Sequence, residues 1–561
     1  EIFDYWSQLF DMLSDLSAKP YATNLVKDAI GHEIRGMVSS GSIGFLDQTI
    51  RGIVGRHGKY WPSAAQSIIH SLEYDTEKMT KEVKAILIEW QKLLSPDKNN
   101  FQEQIILLVL DPSRDYEKDA SGELTDMAAK DAISFANELE SIKELVPYLD
   151  FIISFQQQKQ SWVFGHEIIK RAVLEDIDGF LTELLNSLIE NESARFEFVA
   201  GCLSGLYEID SQAWSGILNI FQQNSELKIY YSDALRTGRF GISQLMEVIP
   251  LIREGALDTR SVSAFSYGRV TNHLSENDII AFCGKLSEID AHGVWASLDI
   301  FNMYMSGRDN YSFTQLKPLL EKLLLSVSFD KKHNVRNLGT YHWQESVKKI
   351  LKAGDELFAL KLVDFLLDQV VNNDINLSVL WDNFHPSFYS AFELCAERIW
   401  PAFSLKILQL AKSRDYYRLS ELLGNGSDNR KKANSIFTLI DHDVVVEWCH
   451  DESALLLVSN SLKLLDRSDE QLTPNELLLR LVDKYGNNKN LLSAIRSNFH
   501  SRSWTGSLIP YLEADKEALK SLKQHKSEMV RQWADGFISI IDYEILENRK
   551  RETEESFVRG W

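Results

Sequence analysis

The stretch GLYEIDSQAWSGILNIF, residues 205–221, aligns without a gap on KLSEIDAHGVWASLDIF, residues 285–301. Seven aligned positions are identical: Leu206/Leu286, Glu208/Glu288, Ile209/Ile289, Asp210/Asp290, Leu218/Leu298, Ile220/Ile300 and Phe221/Phe301. Each copy also carries a tryptophan, Trp214 or Trp295, one register apart. The offset of 80 residues is twice the roughly 40 residues of a HEAT or armadillo helix pair. The repetition therefore predicts an all-α fold, an α-solenoid of HEAT/armadillo-like helix pairs, with the matched leucines and phenylalanines buried between helices.

A second, shorter self-match supports the same unit size. FALKLV at residues 358–363 resembles FSLKIL at residues 403–408, an offset of 45 residues that suits one helix pair. Only 11 prolines and 28 glycines occur in 561 residues, and a shortage of these helix-disfavouring residues favours helices. We divide the chain into an N-terminal helical segment (1–112), a central helical-repeat array (123–450) and C-terminal HEAT-like repeats with a charged capping helix (451–561). Residues 111–122 are polar and irregular, which suggests the first boundary.

Local signals predict two helix starts and one loop. Ser275, with Asp278 three residues later, forms a variant of the capping box, in which each side chain accepts the other residue's backbone N–H. Thr473 is expected to cap another helix, with Pro474 at its first position, where proline is tolerated. The cluster Gly-Asn-Gly-Ser-Asp at residues 424–428 is typical of an exposed turn.

The C-terminal stretch predicts a closing helix. One face of residues 528–547 consists of Val530, Trp533, Phe537, Ile541 and Ile545. We expect Trp533 to be a core residue that closes the last repeat against Leu519 and Leu522. The residues that follow are strongly charged, with opposite charges at i, i+4. They predict a polar cap of the kind that a solenoid end needs for solubility, and an acidic interaction tail is the alternative.

Composition restricts the kinds of partner. The formal net charge is −21 and the isoelectric point about 5.2, which disfavours nucleic acid as a partner, because non-specific binding needs a basic surface. The four cysteines are far apart, so we expect neither disulfides nor a zinc site, and a reducing, cytoplasmic setting. No apolar run approaches the length of a membrane span. Because the first residue is Glu1, not methionine, a fragment of a longer polypeptide is one expectation, and a native start is the other.

Two groups of residues have part of the chemistry of a metal site. His166-Glu167 begins like the helix of a zinc protease, but Lys170 stands where the second histidine must be, and an ammonium group does not bind zinc at neutral pH. A helix surface is the better interpretation. His442-Asp443 and Cys449-His450 would share one face of a continuous helix and could hold a structural metal. An ordinary core helix is the better interpretation there too.

Two further groups suggest nucleic-acid chemistry only weakly. Asp75, Glu82 and Lys84 are the residue types of a nuclease metal site, but such a site normally lies on a sheet and these residues have a helical pattern. A basic, aromatic patch is formed by Lys331, Lys332, His333, Arg336, His342 and Trp343. A patch of this kind could contact nucleic acid, although a solvated loop is the simpler interpretation.

The motifs of common enzyme classes are missing from residues 1–561. The sequence has no Gly-x-x-x-x-Gly-Lys-Ser/Thr phosphate loop and no Gly-x-Ser-x-Gly nucleophile motif. We therefore assign no catalytic, cofactor-binding or metal-binding residue and expect a protein that is not an enzyme. An enzyme whose site is assembled from unmarked residues is the alternative from another class.

Several segments resemble a known group of proteins. KSL at residues 520–522 with HKSEMVRQWA at 525–534 resembles a HEAT unit, whose second helix often opens with a Val-Arg pair and a nearby alanine. FHSRSWTGS at 499–507, taken with that unit, is similar to the C-terminal regions of large bacterial antiphage proteins, the STAND-type NTPases and sirtuin-like effectors. The Tyr267-Gly268-Arg269 stretch and the Trp295 helix are similar too. The resemblance covers roughly residues 200–310 and 495–561.

The resemblance implies a function. In such proteins the α-solenoid half binds a phage protein, while an upstream NTPase or effector region acts. Residues 1–561 contain neither an NTPase nor an effector signature, so we expect the sensing half or a free-standing relative. The expected function is protein–protein recognition in bacterial antiviral defence, in the cytoplasm, without a cofactor or a membrane. A HEAT-repeat scaffold or regulatory protein unrelated to defence is the alternative.

Overall fold

Each part of the chain folds into consecutive α-helices, as the repeat pattern predicts. The computed structural model describes residues 2–39, 43–114, 116–118, 123–306, 311–331, 337–375, 379–411, 419–420, 422–423, 435–462, 464–468, 471–500, 504 and 506–559. The chain divides into unit 1 (1–261) and unit 2 (262–561). Within the described residues, strands form only one short hairpin in each unit, so the predicted all-α class is confirmed. The segment boundaries predicted near residues 112 and 450 lie inside the two units and stay predictions.

In unit 1, helices pack on the helix two positions later in the chain. The helices are α1 (Ile2–Ser17), α2 (Thr23–Ser39), α3 (Ile43–His57), α4 (Pro62–Tyr74), α5 (Lys81–Leu93), α6 (Phe101–Ile105), α7 (Met127–Glu138), α8 (Leu149–Ser154), α9 (Ser161–Arg171), α10 (Leu174–Glu190), α11 (Glu197–Ile209), α12 (Ser211–Gln223), α13 (Tyr231–Leu235), α14 (Ile242–Met246) and α15 (Val248–Arg253). Helix α2 packs on α4, α3 on α5, α7 on α9 and α9 on α11. Stacking of equivalent helices from successive pairs is the arrangement of an α-solenoid.

Unit 2 has the same kind of packing. Its helices are α16 (Glu276–Leu286), α17 (Ala291–Ser306), α18 (Phe313–Leu324), α19 (Asn337–Lys352), α20 (Glu356–Asn372), α21 (His385–Ala411), α22 (His442–Trp448), α23 (Glu452–Ser461), α24 (Glu476–Tyr485), α25 (Lys489–His500), α26 (Ile509–Leu519) and α27 (Glu528–Arg559). Helix α22 packs on α24, α23 on α25 and α25 on α27. Helix α21 breaks at Cys395, whose backbone angles leave the helical region. No helix in the described residues is both long and apolar enough to cross a bilayer.

Short antiparallel hairpins interrupt the helices twice. Strand β1 (Tyr116–Lys118), which lies inside the segment predicted to be irregular, pairs with β2 (Leu124–Asp126), which follows that segment. Asp126 then caps α7, because its carboxylate accepts a hydrogen bond from the backbone N–H of Ala129. Strand β3 (Leu465–Ser468) pairs with β4 (Gln471–Pro474) in unit 2.

The two copies of the repeat begin their second helix in the same way. In each copy an aspartate directly precedes that helix, but α11 runs to Ile209 whereas α16 already ends at Leu286. Asp210 accepts a hydrogen bond from the backbone N–H of Gln212 at 2.9 Å, and Asp290 accepts one from that of Gly293 at 2.7 Å. The predicted buried residues are all buried: Leu218, Phe221, Leu298 and Phe301. The copies differ at Ile220, which is exposed, whereas its counterpart Ile300 is buried.

Both segments of the shorter self-match are helical, the first in α20 and the second in α21, and these two helices pack on each other. Phe358 and Leu362 are buried in the first segment, as are their counterparts Phe403 and Ile407 in the second. The 45-residue offset therefore relates equivalent positions of two packed helices.

One predicted helix start is correct and one is wrong. Ser275 caps α16, with Asp278 N–H donating to the Ser275 hydroxyl at 3.2 Å and Ser275 N–H donating to the Asp278 carboxylate at 3.0 Å. Thr473, by contrast, belongs to β4, and α24 starts at Glu476 with Asn475 as its cap. The pairing of β4 with β3 holds Thr473 and Pro474 in extended conformation and moves the start of the helix. The turn predicted at residues 424–428 lies outside the described residues.

The C-terminal helix α27 packs on α26, but Trp533 is not a full core residue. Leu519 and Leu522 are buried as expected, whereas Trp533 is half-buried, with its ring centroid 5.6 Å from that of Phe537. The indole Nε1 of Trp533 is itself buried and has no acceptor among the described residues. The ring therefore packs on its own helix and leaves part of its surface to solvent.

Trp533→Ala should destabilise the C-terminal end by about 2 kcal/mol, which is less than the roughly 3–5 kcal/mol of a fully buried aromatic. Because repeat elements contact only their neighbours, hydrogen exchange should show loss of protection confined to α26 and α27. Trp504→Ala, which removes a half-exposed indole, should leave protection unchanged. A uniform loss throughout unit 2 would instead show one cooperative globule.

Candidate functional site

Helices α9 and α11 approach each other unusually closely because glycines lie where they cross. A Cβ added at Gly201 would lie 2.1 Å from the carbonyl oxygen of Trp162, and one added at Gly205 would lie 2.6 Å from that of His166. Any larger residue would therefore collide with the backbone of α9. Gly201 and Gly205 are four residues apart, which places them on one face of α11.

Helix α9 contributes a glycine to the same crossing. A Cβ added at Gly165 would lie 2.6 Å from the carbonyl oxygen of Phe198 and 3.2 Å from Sγ of Cys202. Cys202 is fully buried there, and burial raises the pKa of its thiol. A thiol held in its neutral form is a poor nucleophile, so Cys202 acts as a packing residue.

The crossing brings three polar side chains together on one side. Glu208 of α11 contacts His166 (Nε2 to Oε1, 3.0 Å) and Lys170 (Nζ to Oε2, 2.9 Å), both from α9. Hydrogen bonds from Lys170 and, to a smaller extent, from His166 lower the pKa of Glu208. The indole of Trp162 stacks on the His166 ring with centroids 5.1 Å apart. Of the residues considered as a zinc-protease start, His166 and Lys170 thus bind Glu208 across the two helices.

Trp162 also lines a cavity of about 580 Å³, within the size range of sites that bind small ligands or anchor side chains. Its lining residues are Trp162, Arg195, Phe196, Glu197, Ala200, Ser204, Asp233, Arg236 and Thr237. We call this cavity the α11 pocket. Ala200 and Ser204 each precede one of the α11 crossing glycines, so the close contact with α9 fixes the pocket wall.

Charged groups in the α11 pocket are incompletely paired. Arg236 Nη1 lies 3.3 Å from Oδ1 of Asp233. Arg236 Nε is buried and has no acceptor among the described residues, and such a donor costs about 1–3 kcal/mol. Burial raises the pKa of Asp233; Arg236 opposes this shift, and the nearby Glu197 adds to it. The pocket therefore combines a donor that lacks an acceptor with a carboxylate whose ionised form is disfavoured.

The repeat residue Trp214 holds one wall of the α11 pocket. Its indole Nε1 donates to the Thr237 hydroxyl at 2.8 Å, and that hydroxyl donates to the Ala234 carbonyl at 2.7 Å. The Trp214 ring also packs edge-on against Tyr207, with centroids 5.2 Å apart. A Cβ at Gly238 would lie 2.8 Å from the Trp214 ring, so glycine is needed where the chain passes over it. Trp214, which the sequence repeat drew attention to, thus positions Thr237 in the wall of the α11 pocket.

The structure separates the residues suggested as a second metal site. Asp443 contacts Arg480 at 2.6 Å, and His442 lies 3.9 Å from Glu476. Cys449 is buried, and burial raises its pKa to about 12. Helix α22 ends at Trp448, so His450 leaves the shared face and its Nδ1 donates to the Glu447 carbonyl oxygen. Within the described residues, no three His, Cys, Asp or Glu side chains are grouped as metal ligands.

The residues suggested as a nuclease site do not form one site, because they interact with different partners. Asp75 follows α4 and forms a two-point ion pair with Arg35, at 2.7 and 3.2 Å. Glu82 lies in the first turn of α5, where its own backbone N–H and the Thr80 hydroxyl lower its pKa. Lys84 is exposed on the same helix. This region is helical, so it lacks the sheet on which that kind of site is built.

The tryptophan of the suggested basic, aromatic patch is not exposed for stacking. Trp343 is fully buried, and its Nε1 donates to the Leu324 carbonyl oxygen at 3.0 Å. His342 pairs with Asp299 at 2.7 Å, and Lys331 pairs with Asp374 at 3.1 Å. Residues 332–336, which include the other members of the patch, lie outside the described residues.

The α11 pocket has no signal of its own in the sequence, although its scaffold has one. Gly201 and Gly205 have the small-xxx-small spacing that lets two helices approach closely. The pocket itself combines residues from α9, α11 and the region of α13, and no periodicity connects these separate stretches. Only the three-dimensional crossing brings Trp162 near Arg236.

Comparison with known proteins adds little to this description. No protein-family model and no curated protein matches the chain. A solved structure that aligns with it is described as a circular tandem repeat protein with novel repeat topology and enhanced subunit contact surfaces. That alignment covers 99% of this chain and 99% of the other at 12% identity, with a TM-score of 0.14. A likeness this weak carries no argument about fold or function.

Gly201→Ala should destabilise unit 1 by about 1–3 kcal/mol, because the added methyl group forces α11 away from the backbone of α9. Gly216→Ala on α12 is the matched control. Nothing lies within 4 Å of its added Cβ, so it should be neutral or stabilising by up to about 1 kcal/mol. Denaturant unfolding measures both values. Equal effects of the two substitutions would contradict the proposed role of the crossing.

Asp233→Asn should stabilise the chain near neutral pH, because burial holds the folded-state pKa of this carboxyl above its unfolded value. At pH values above the folded-state pKa the Asp233 carboxyl is ionised, and its burial then destabilises the folded chain. The gain should therefore shrink as pH falls and vanish below about pH 4, where both states are protonated. Thermal unfolding across this pH range tests it, with the exposed Asp178→Asn as control. A variant less stable than the parent at pH 7 would show that pairing with Arg236 outweighs burial.

Proposed function

We propose that the chain recognises a protein partner and that the α11 pocket accepts an anchor side chain of that partner. The pocket combines Trp162, Arg195 and Arg236, residue types that carry most of the binding energy in protein interfaces. Trp162 is 44% exposed, so its ring is available to a partner. The single observation that carries the proposal is the buried Arg236 Nε, which finds no acceptor among the described residues.

An acceptor from a partner would complete the polar contacts of the pocket. A carbonyl or carboxylate oxygen at Arg236 Nε would supply the missing hydrogen bond, and the gain is largest where water is excluded. An apolar portion of the same anchor would pack on the exposed face of Trp162. This combination favours an amphipathic side chain or a short peptide segment over a purely apolar ligand.

A catalytic role is the competing hypothesis for the pocket. A carboxyl with a raised pKa, such as Asp233, is a feature of some active sites. Asp233, however, pairs with Arg236, and the hydroxyl-bearing Ser204 has no histidine beside it among the lining residues. Recognition explains the aromatic and cationic lining better than catalysis, so the proposal is a binding protein that is not an enzyme.

A phage protein is the partner we propose to test first, since the sequence resembles the sensing regions of bacterial antiphage proteins. Such a role places the chain in the bacterial cytoplasm, with an effector or NTPase region as its functional counterpart. A HEAT-repeat scaffold unrelated to defence would use the same pocket for a cellular protein. The two possibilities differ in the origin of the partner and share the chemistry of the site.

Peptides selected from a display library against the immobilised chain should depend on the α11 pocket. Trp162→Ala and Arg236→Ala should each weaken their binding by at least about tenfold, as truncation of interface hot spots does. Fluorescence anisotropy with labelled peptides measures the change. Trp504→Ala removes another half-exposed indole, outside the pocket, and should leave binding unchanged.

Two results would contradict the proposal. Selected peptides that bind both pocket variants as tightly as the parent chain would place recognition elsewhere. Cleavage of a bound peptide, lost in Asp233→Asn, would show that the pocket is catalytic.

A further inference from the structure

Helix α1 exposes an apolar stripe in addition to the face that it buries. Its core side packs through Phe10, with Trp6 and Leu13 partly buried beside it. On another side, Tyr5 is 63% and Met12 59% exposed. Leu9 is half-buried and Leu16 exposed along the same line. We call Tyr5, Leu9, Met12 and Leu16 the α1 stripe.

The spacing of the α1 stripe is that of a coiled-coil seam. Its members follow each other at intervals of four, three and four residues, which is the heptad pattern of core positions. Residues at these positions insert between the side chains of a facing helix. Large exposed apolar residues in this pattern are therefore suited to a second helix more than to a flat or extended partner.

The charges beside the α1 stripe select the kind of helix. Asp15 is exposed beside the stripe, and no lysine or arginine occurs in residues 2–17. Arg56 hydrogen-bonds to Ser14 on the face opposite the stripe, and His57 contacts Ser17 at the C-terminal end of α1. Asp15 occupies a flanking heptad position, where charge determines partner choice.

We propose that the α1 stripe docks a basic amphipathic helix of a partner protein. Leucine-like residues of that helix would pack between Leu9, Met12 and Leu16, and its lysines or arginines would lie beside Asp15. A second copy of the chain is the wrong occupant, since it would bring acidic residues beside acidic residues. This surface is separate from the α11 pocket and does not depend on the function proposed for it.

Two synthetic helices about three heptads long provide the probe. Both have leucine at the two core positions of every heptad, and the flanking positions carry lysine in one peptide and glutamate in the other. The parent chain should bind the lysine peptide at least about tenfold more tightly than the glutamate peptide, measured by fluorescence anisotropy at physiological salt. Met12→Glu should lower the affinity for the lysine peptide at least about tenfold, since it places a charge in the seam.

Two further variants separate this proposal from general charge attraction. Leu405→Glu adds the same charge at an exposed leucine of α21 and should leave binding unchanged. Asp15→Lys should move the preference towards the glutamate peptide. Circular dichroism of every variant should match the parent, since the substituted side chains are exposed.

Either of two outcomes would overturn the proposal. Equal binding of the lysine peptide to the parent and to Met12→Glu would mean that the net charge of the chain alone attracts it. A dimer of the parent chain in sedimentation, dissociated by Met12→Glu, would mean that a second copy covers the stripe.

Discussion

The backbone contact between α9 and α11 is the constraint on which the α11 pocket depends. Only glycine at 165, 201 and 205 allows the two helices to come this close, because the facing atoms are carbonyl groups that cannot move aside without breaking their own helix. The same contact holds the backbone of Trp162 against Gly201 of α11. It also places His166 and Lys170 against Glu208. The same helix contact therefore positions both this polar cluster and the wall of the α11 pocket.

The α11 pocket contains polar groups whose hydrogen bonds are incomplete among the described residues. Buried donors normally find acceptors in folded proteins, and the Arg236 Nε finds none among the described residues. Burial also disfavours the ionised form of Asp233 beside it. Such departures from full pairing are expected where a protein meets a ligand, since the cost is recovered on binding. Trp214 holds Thr237 in position, so this part of the pocket wall is fixed although Arg236 Nε lacks an acceptor among the described residues.

Sequence periodicity was sufficient for the fold but not for the site. The 80-residue repeat predicted helices and the burial of Leu218 and Phe221, whereas the matched pair Ile220 and Ile300 differ in burial because their neighbours differ. The local capping signal at Thr473 was wrong, because pairing between two strands holds that residue in an extended conformation. The α11 pocket joins residues from three separate stretches. The α1 stripe has the spacing of an ordinary core face, and only the exposure of its side chains in the structure distinguishes it from one. Pairing across helices, as for Asp75 with Arg35, likewise has no signal in a single sequence.

A double-mutant cycle tests most directly whether the glycine crossing and the α11 pocket act together in the proposed recognition. Peptide affinity would be measured for the parent, Gly201→Ala, Trp162→Ala and the double variant. Residues that act through one contact show coupling, so the double variant should lose little more than either single variant, with a coupling energy of at least about 1 kcal/mol. Additive losses, or a Gly201→Ala variant that binds like the parent, would contradict the account.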